Sequence, residues 1–323
     1  MIAHGRVKDV GLHNMNKRGR LKYILYVLIA GCMWGCMGLL VRPLNDIGLV
    51  SMDIVALRAF VTVVVTFVSL PLLSKVNGSK AREDIRIRIK DIWIFLGTGI
   101  ASVVFFNFCY FNTIIYTSLS VAAIMLYTAP IFVMIISAFV FHDKITSVKV
   151  IAILLAFIGC GVVTGVIGGN IAITATGALF GLGAGIGYAL YSIFGKIATK
   201  RGYNSVTVTL YTFVMASVGV LPFCDFKGIV NVFSENPQML VLSFVLILVT
   251  TFFPYIFYTA GLNGMEPGKA AVVACIEPVA ATFVGWIAFD ERPSVSTVLG
   301  VLMVIGAIFI INVGQDGKDK VNK

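Results

Sequence analysis

What most constrains this chain is an alternation sustained from Leu21 to Val313: segments of predominantly apolar residues, each separated from the next by a short polar connection. A run of about 20 apolar residues is what an α-helix needs to cross the hydrocarbon core of a bilayer. Ten such helices are predicted, over residues 21–41, 51–73, 92–112, 121–141, 148–166, 177–198, 206–223, 239–262, 270–289 and 295–313. The chain is 59% hydrophobic and 12% charged, whereas soluble domains are about a quarter charged. An all-α integral membrane protein is expected, with no separate soluble domain and its functional site within or between helices.

The formal net charge of +10 raises the question of nucleic acid. The basic residues flank apolar runs and are not interleaved with aromatics on one face, so they read as topology signals and no nucleic-acid partner is expected. With the N-terminus in the cytoplasm, the cytoplasmic segments collect most of the Lys and Arg, and the opposite side receives Arg42, Lys227 and Arg292. Both termini are therefore expected in the cytoplasm, in a multi-pass protein of the plasma membrane. Residues 1–20 read as a cytoplasmic tail before a signal anchor, with Met15 as an alternative start, and residues 314–323 as a second tail. Cys32, Cys36, Cys109, Cys160 and Cys275 lie inside apolar runs and only Cys224 sits near a loop. They read as small packing residues, and neither a metal site nor a cofactor is expected.

An internal repeat is visible. "SLSVAAIMLYTAPIFVMIISAFVFHDKIT" from Ser118 aligns without gaps with "EPGKAAVVACIEPVAATFVGWIAFDERPS" from Glu266, with Pro130 opposite Pro278 and Asp143-Lys144 opposite Glu291-Arg292. "CMWGCMGLLVRPLNDIGLVS" and "GIGYALYSIFGKIATKRGYNS" match more loosely. Two five-helix halves follow, 21–166 and 174–313. An odd number of spans per half inverts the second half in the membrane, as in secondary transporters whose site lies at the repeat interface. In these residues, together with Trp34-Gly35, "ALRAF" around Arg58, and the closing "HDKIT" and "DERPS", the chain resembles the EamA-like carriers of the drug/metabolite transporter superfamily. The resemblance implies a ten-helix basket working by alternating access, usually exporting amino acids or other small metabolites.

Glu277 stands roughly 10 Å into its predicted helix at 1.5 Å per residue, too deep for its short side chain to reach water. An ionisable group at that depth usually faces a bundle interior or a wet cavity. It reads as a partner for a substrate cation or a proton carrier, the alternative being a carboxyl hydrogen-bonded to a neighbouring helix. Ala129 occupies the matching place in the first half, so the fold does not demand a carboxylate there. Arg58 is a weaker candidate, because arginine can extend its guanidinium toward the membrane surface. Pro130 and Pro278 read as bends required by the architecture, and Pro254 as a third helix break. Trp34, Asn107, Tyr110, Tyr127, Tyr188, Tyr191, Tyr211, Tyr255 and Tyr258 complete the candidate pocket. Each alone reads as packing or an interfacial residue, but tyrosine hydroxyls at mid-span need partners. Glycines at four-residue spacing, Gly31 and Gly35 and again Gly177, Gly181 and Gly185, read as stripes for close helix packing.

A secondary transporter of a small polar or amphipathic metabolite is therefore expected, exporting its substrate with possible proton coupling, as a monomer or homodimer. A receptor or scaffold without flux is the second reading. An intramembrane lipid-modifying enzyme, with Glu277 as general acid or base, is the third, opposed by the lack of a His/Asp/Ser cluster, of metal-ligand spacing and of an acidic diphosphate-binding motif.

Overall fold

The computed structural model describes residues 17–77, 85–167 and 173–313. Met15, most of the expected N-terminal tail and the tail 314–323 lie outside the described residues. Those described are helices joined by turns, without a strand. Nine helical stretches among them are long and apolar enough to cross a membrane, and one apolar helix, Ser147–Val163, is shorter at 17 residues.

In chain order, α1 (Lys17–Gly35) and α2 (Gly38–Asp46) make one stretch interrupted at Cys36-Met37, where a single helix over 21–41 is predicted. α3 (Ser51–Asn77) follows, then α4 (Ile89–Tyr116), which holds a π-helical stretch at Gly97–Val104. α5 (Leu119–Leu126) and α6 (Ala129–Phe141) are a broken pair, and α7 is Ser147–Val163. α8 (Ala175–Lys200) is unbroken, and α9 (Ser205–Val220) is followed by α10 (Phe226–Glu235), a short amphipathic helix that the apolar runs did not predict. α11 (Gln238–Gly264) has its own π stretch at Leu248–Phe252. α12 (Pro267–Ala274) and α13 (Glu277–Phe289) are a second broken pair before α14 (Val295–Val313).

Polar side chains start the helices. Ser118, Thr146, Thr174, Asn204 and Asp225 each accept a hydrogen bond from a backbone N–H in the first turn of α5, α7, α8, α9 and α10, replacing a partner that a helix N-terminus lacks. The outward surface is apolar: Ile287 is 81% exposed, Phe139 79% and Val68 73%, suited to lipid rather than water. The largest buried cluster gathers Trp34, Phe213, Tyr191, Tyr255, Tyr258 and Val272 from α1, α9, α8, α11 and α12.

Contacts at the helix ends fix how neighbours run. Asp91, at the start of α4, is paired with Arg201 just after α8 and accepts from Tyr203 Oη at 2.7 Å. Thr174, before α8, donates to the Tyr116 carbonyl at the end of α4 at 3.1 Å. α4 and α8 are therefore antiparallel neighbours, tied at both ends. Lys149 joins Glu266 at 2.6 Å, Arg42 joins Glu291 at 2.8 Å, and the Asp225 N–H donates to Asp53 at 2.8 Å.

Candidate functional site

The site begins with the two broken pairs. Proline lacks an N–H and cannot bond the carbonyl four residues back; Pro130 and Pro278 stand second in α6 and α13, and the preceding helices stop at Leu126 and Ala274. The first residues after the breaks are Ala129 and Glu277. Glu277 thus opens a new helix, whose unbonded N–H groups favour negative charge. α1 lies hard against this break: a methyl group at Gly35 would come within 2.7 Å of the Glu277 carbonyl and 2.6 Å of Ala280 Cβ. Gly185 of α8 approaches Thr128 and Met125 at the other break in the same way. Pro254 stands second in the α-helical part of α11 that follows its π stretch.

Beside the Glu277 break, rings from three helices surround a hollow. Trp34 lies 5.5 Å from Tyr255, 5.3 Å from Tyr258 and 6.2 Å from Tyr188 between ring centroids; Tyr191 is 4.9 Å from Tyr255. Ser102, Phe106 and Ser192 complete the lining. The hydroxyls divide into two sets. Tyr191 shares a 2.7 Å hydrogen bond with Thr259, and Tyr258 one of 2.7 Å with Ser192. Among the described residues, no hydrogen bond engages the hydroxyls of Tyr110, Tyr127, Tyr188 or Tyr255.

Glu277 is within electrostatic reach of those four tyrosines and of Arg58. The ion pairs among the described residues are Arg42–Glu291, Lys149–Glu266 and Arg201–Asp91, so Arg58 and Glu277 do not close on each other. Both are half-buried. Arg58 turns inward: its Nε donates to Thr251 Oγ1 at 2.8 Å, and Thr251 is fully buried. Two expected members stand elsewhere. Asn107 is buried and donates its amide to the Val103 carbonyl of its own helix at 2.7 Å. Tyr211 packs on Phe95, with ring centroids 5.3 Å apart, in a separate cluster with Ile94 and Tyr203.

Sequence reasoning missed Thr251, which nothing distinguishes in an apolar run, and two buried lysines that it read as topology cations. Lys196 is 4% exposed and donates to the carbonyls of Leu262 at 2.5 Å and Met265 at 2.9 Å. Lys149 donates to the Lys144 carbonyl at 2.7 Å besides pairing with Glu266. Together they pin the connection that leads from α11 into the broken helix carrying Glu277. Burial raises the Glu266 carboxyl, but Lys269 and Lys149 outweigh it and hold the group below its ordinary value. The lysine in "FGKIATK", placed before the run ends, was the available signal for Lys196.

Comparison with known proteins agrees with this architecture. The family model described as the EamA-like transporter family matches residues 21–165 and 175–313. An uncharacterized transporter of Archaeoglobus fulgidus is 28% identical over 226 residues, covering 70% of this chain and 79% of that protein. The uncharacterized transporter YetK of Bacillus subtilis is 27% identical over 229 residues, covering 68% of each. A solved crystal structure superposes with a TM-score of 0.69 at 16% identity, covering 89% of this chain and 95% of that one, a likeness of fold.

Proposed function

Because this chain belongs to the EamA-like transporter family, we propose that it is a secondary carrier exporting a small zwitterionic metabolite, an amino acid or a close relative, by alternating access. It is a multi-pass membrane protein, and its substrate crosses between the helices. The observation that supports the substrate class is a pair of opposites: the Arg58 guanidinium and the Glu277 carboxylate both lie within electrostatic reach of Tyr255, a ring of the aromatic hollow, and no ion pair among the described residues joins them. A carboxylate on the substrate answers Arg58, an ammonium answers Glu277, and the unengaged tyrosine hydroxyls supply hydrogen bonds between. A neutral solute would leave two half-buried charges without partners, which is costly.

In this reading the chain crosses the membrane ten times, as two inverted five-helix repeats, 21–166 and 174–313, in the plasma membrane with both termini cytoplasmic. The two-part family match supports the repeat. The bond between Thr174 and Tyr116 supports the count: α5 and α6 leave that end, and only α7 can return the chain to it. At 17 residues, α7 spans about 25 Å, which a bilayer accommodates by thinning locally. A carboxyl in a wet cavity can also take up a proton once the substrate departs, and this supports coupling to the proton gradient.

The test is the melting temperature of the purified protein in detergent against amino acids, amines, carboxylates, nucleosides and sugars, for wild type and Glu277→Gln. An amino acid that stabilises only the wild type is the expected result. A sugar or nucleoside that stabilises both proteins equally would overturn the zwitterion reading, and absence of substrate flux in vesicles would favour a receptor.

A further inference from the structure

The bond between Arg58 and Thr251 bears on how the carboxylate of a substrate would be recognised, and rests on the carrier reading above. Arg58 makes one hydrogen bond among the described residues, from Nε to Thr251 Oγ1. A guanidinium is planar, with five N–H donors in fixed directions. Holding Nε therefore orients the whole plane, and leaves the edge formed by Nη1 and Nη2 without a protein partner. That edge can grip a planar carboxylate through two parallel hydrogen bonds.

Thr251 is placed for this by its backbone. It lies in the π stretch Leu248–Phe252, where the register of α11 is locally widened; such stretches occur frequently at functional sites. Its neighbour Thr250 donates to the Leu246 carbonyl of the same helix at 2.8 Å, the usual use of a threonine in an apolar helix. Thr251 instead turns its hydroxyl to α3. Counted from Ser51 and Ser205, which open α3 and α9, Thr212 stands where Arg58 does. It too reaches a π-stretch threonine, donating to Thr98 at 2.7 Å. A neutral threonine pair fills that place, so packing there does not require an arginine.

We infer that Thr251 is a positioning residue that fixes the Arg58 guanidinium with its outer edge toward the cavity, and thereby makes the site select substrates that carry a carboxylate. Two measurements on the full-length protein in detergent test it. The first is a double-mutant thermal cycle without ligand, with Thr251→Val and Arg58→Met. Thr251→Val is expected to lower the melting temperature of the wild type more than that of Arg58→Met, and Thr251→Ser, which keeps the hydroxyl, to restore it; additive shifts would overturn the inference. The second measures binding of phenylalanine, leucine and threonine beside their methyl esters, which keep the ammonium and lose the carboxylate. Thr251→Val should cut the preference for the acid over the ester by roughly tenfold, with Thr251→Ser close to wild type. An equal loss for acid and ester would make Thr251 merely structural and overturn the inference. A wild type that binds none of the six would sink the zwitterion reading instead, while the thermal cycle would still decide whether Thr251 holds Arg58.

Discussion

The pair α5–α6 and the pair α12–α13 are built to one plan and do different things. Each runs directly into a two-residue turn, restarts with a proline second, and ends on a left-handed residue, His142 at φ 60° and Asp290 at φ 54°. Each break is covered by a glycine from another helix, Gly185 or Gly35. What differs is charge. The first break presents Ala129 where the second presents Glu277, and the first pair opens on Ser118, a plain N-cap, where the second opens on Glu266, bound to Lys149. The bends belong to the architecture, since both halves have them. The two carboxylates stand in the second pair only: Glu266 serves stability through Lys149, and Glu277 needs a reason beyond folding.

The largest effect that would sharpen this contrast is at the breaks themselves. Glu277→Gln is expected to weaken substrate binding by ~10–100-fold, the loss of one charge-assisted hydrogen bond in a half-buried site, and to leave the melting temperature of the empty protein nearly unchanged. Ala129→Glu added to Glu277→Gln should not restore binding. If it did, the two breaks would be interchangeable and the asymmetry without function. Binding isotherms on the two variants decide it.

Prolines come next. Pro130→Ala and Pro278→Ala each supply an N–H and let the helix close across the turn, and each should change stability by about 1 kcal/mol or less. Transport should fall several-fold with Pro278→Ala, which reorients Glu277, and clearly less with Pro130→Ala. Equal losses in vesicle uptake would mean that both breaks line the substrate path alike.

Much of this was legible in the sequence because apolar length and proline act locally. The spans, the gapless match between the two broken pairs and the depth of Glu277 all follow from spacing along one helix. Arg58 was half legible: its depth was plain, but a long side chain can turn either way, and only Thr251 on a distant helix settles that it turns inward. The aromatic candidates show the same limit. Trp34, Tyr188, Tyr191 and Tyr255 meet because α1, α8 and α11 converge, while Tyr211, alike in type and depth, packs on Phe95. The break at Cys36-Met37 carries no proline at its turn, and the π stretches leave no residue signature, so neither could be read beforehand.

A smaller effect separates the two helix starts. Glu266→Gln leaves Lys149, with its side chain 6% exposed, without its counter-charge and should cost about 1–3 kcal/mol. Lys149→Met added to it should recover part of the loss. The pH dependence has a defined sign. Lys269 and Lys149 hold the Glu266 carboxyl below its ordinary value despite burial. Its contribution is therefore complete above the unfolded carboxyl value of about 4.3 and is lost as pH falls through the lower folded value. Melting curves between neutral and acid pH should converge for wild type and Glu266→Gln; parallel curves would remove Glu266 from the account. Ser118→Ala, at the matching start, should cost about 1 kcal/mol as a lost cap, with no acid dependence.

The smallest expected effect is at the closing turns, where the two pairs agree in backbone and differ in side chain. His142 and Asp290 are exposed and held in the left-handed region, which costs an ordinary L-residue about 1–2 kcal/mol. Glycine relieves that cost but has more freedom to lose on folding, about 0.4–1 kcal/mol. The net gain from His142→Gly should therefore be about 0.5–1 kcal/mol. Asp290→Gly should gain less, because aspartate tolerates this conformation through local hydrogen bonds of its short side chain. The next residues reinforce the order. Asp143 accepts from Ser137 Oγ and so ties its turn by a side chain that the other turn, with Gly285 opposite Ser137, does not have. Relief of strain at His142 therefore acts on a turn already fixed, and appears fully as stability. Thermal melts of the two glycine variants should rank His142→Gly above Asp290→Gly, both above wild type. The reverse ranking would mean that the side chains, not the shared backbone, hold these two turns.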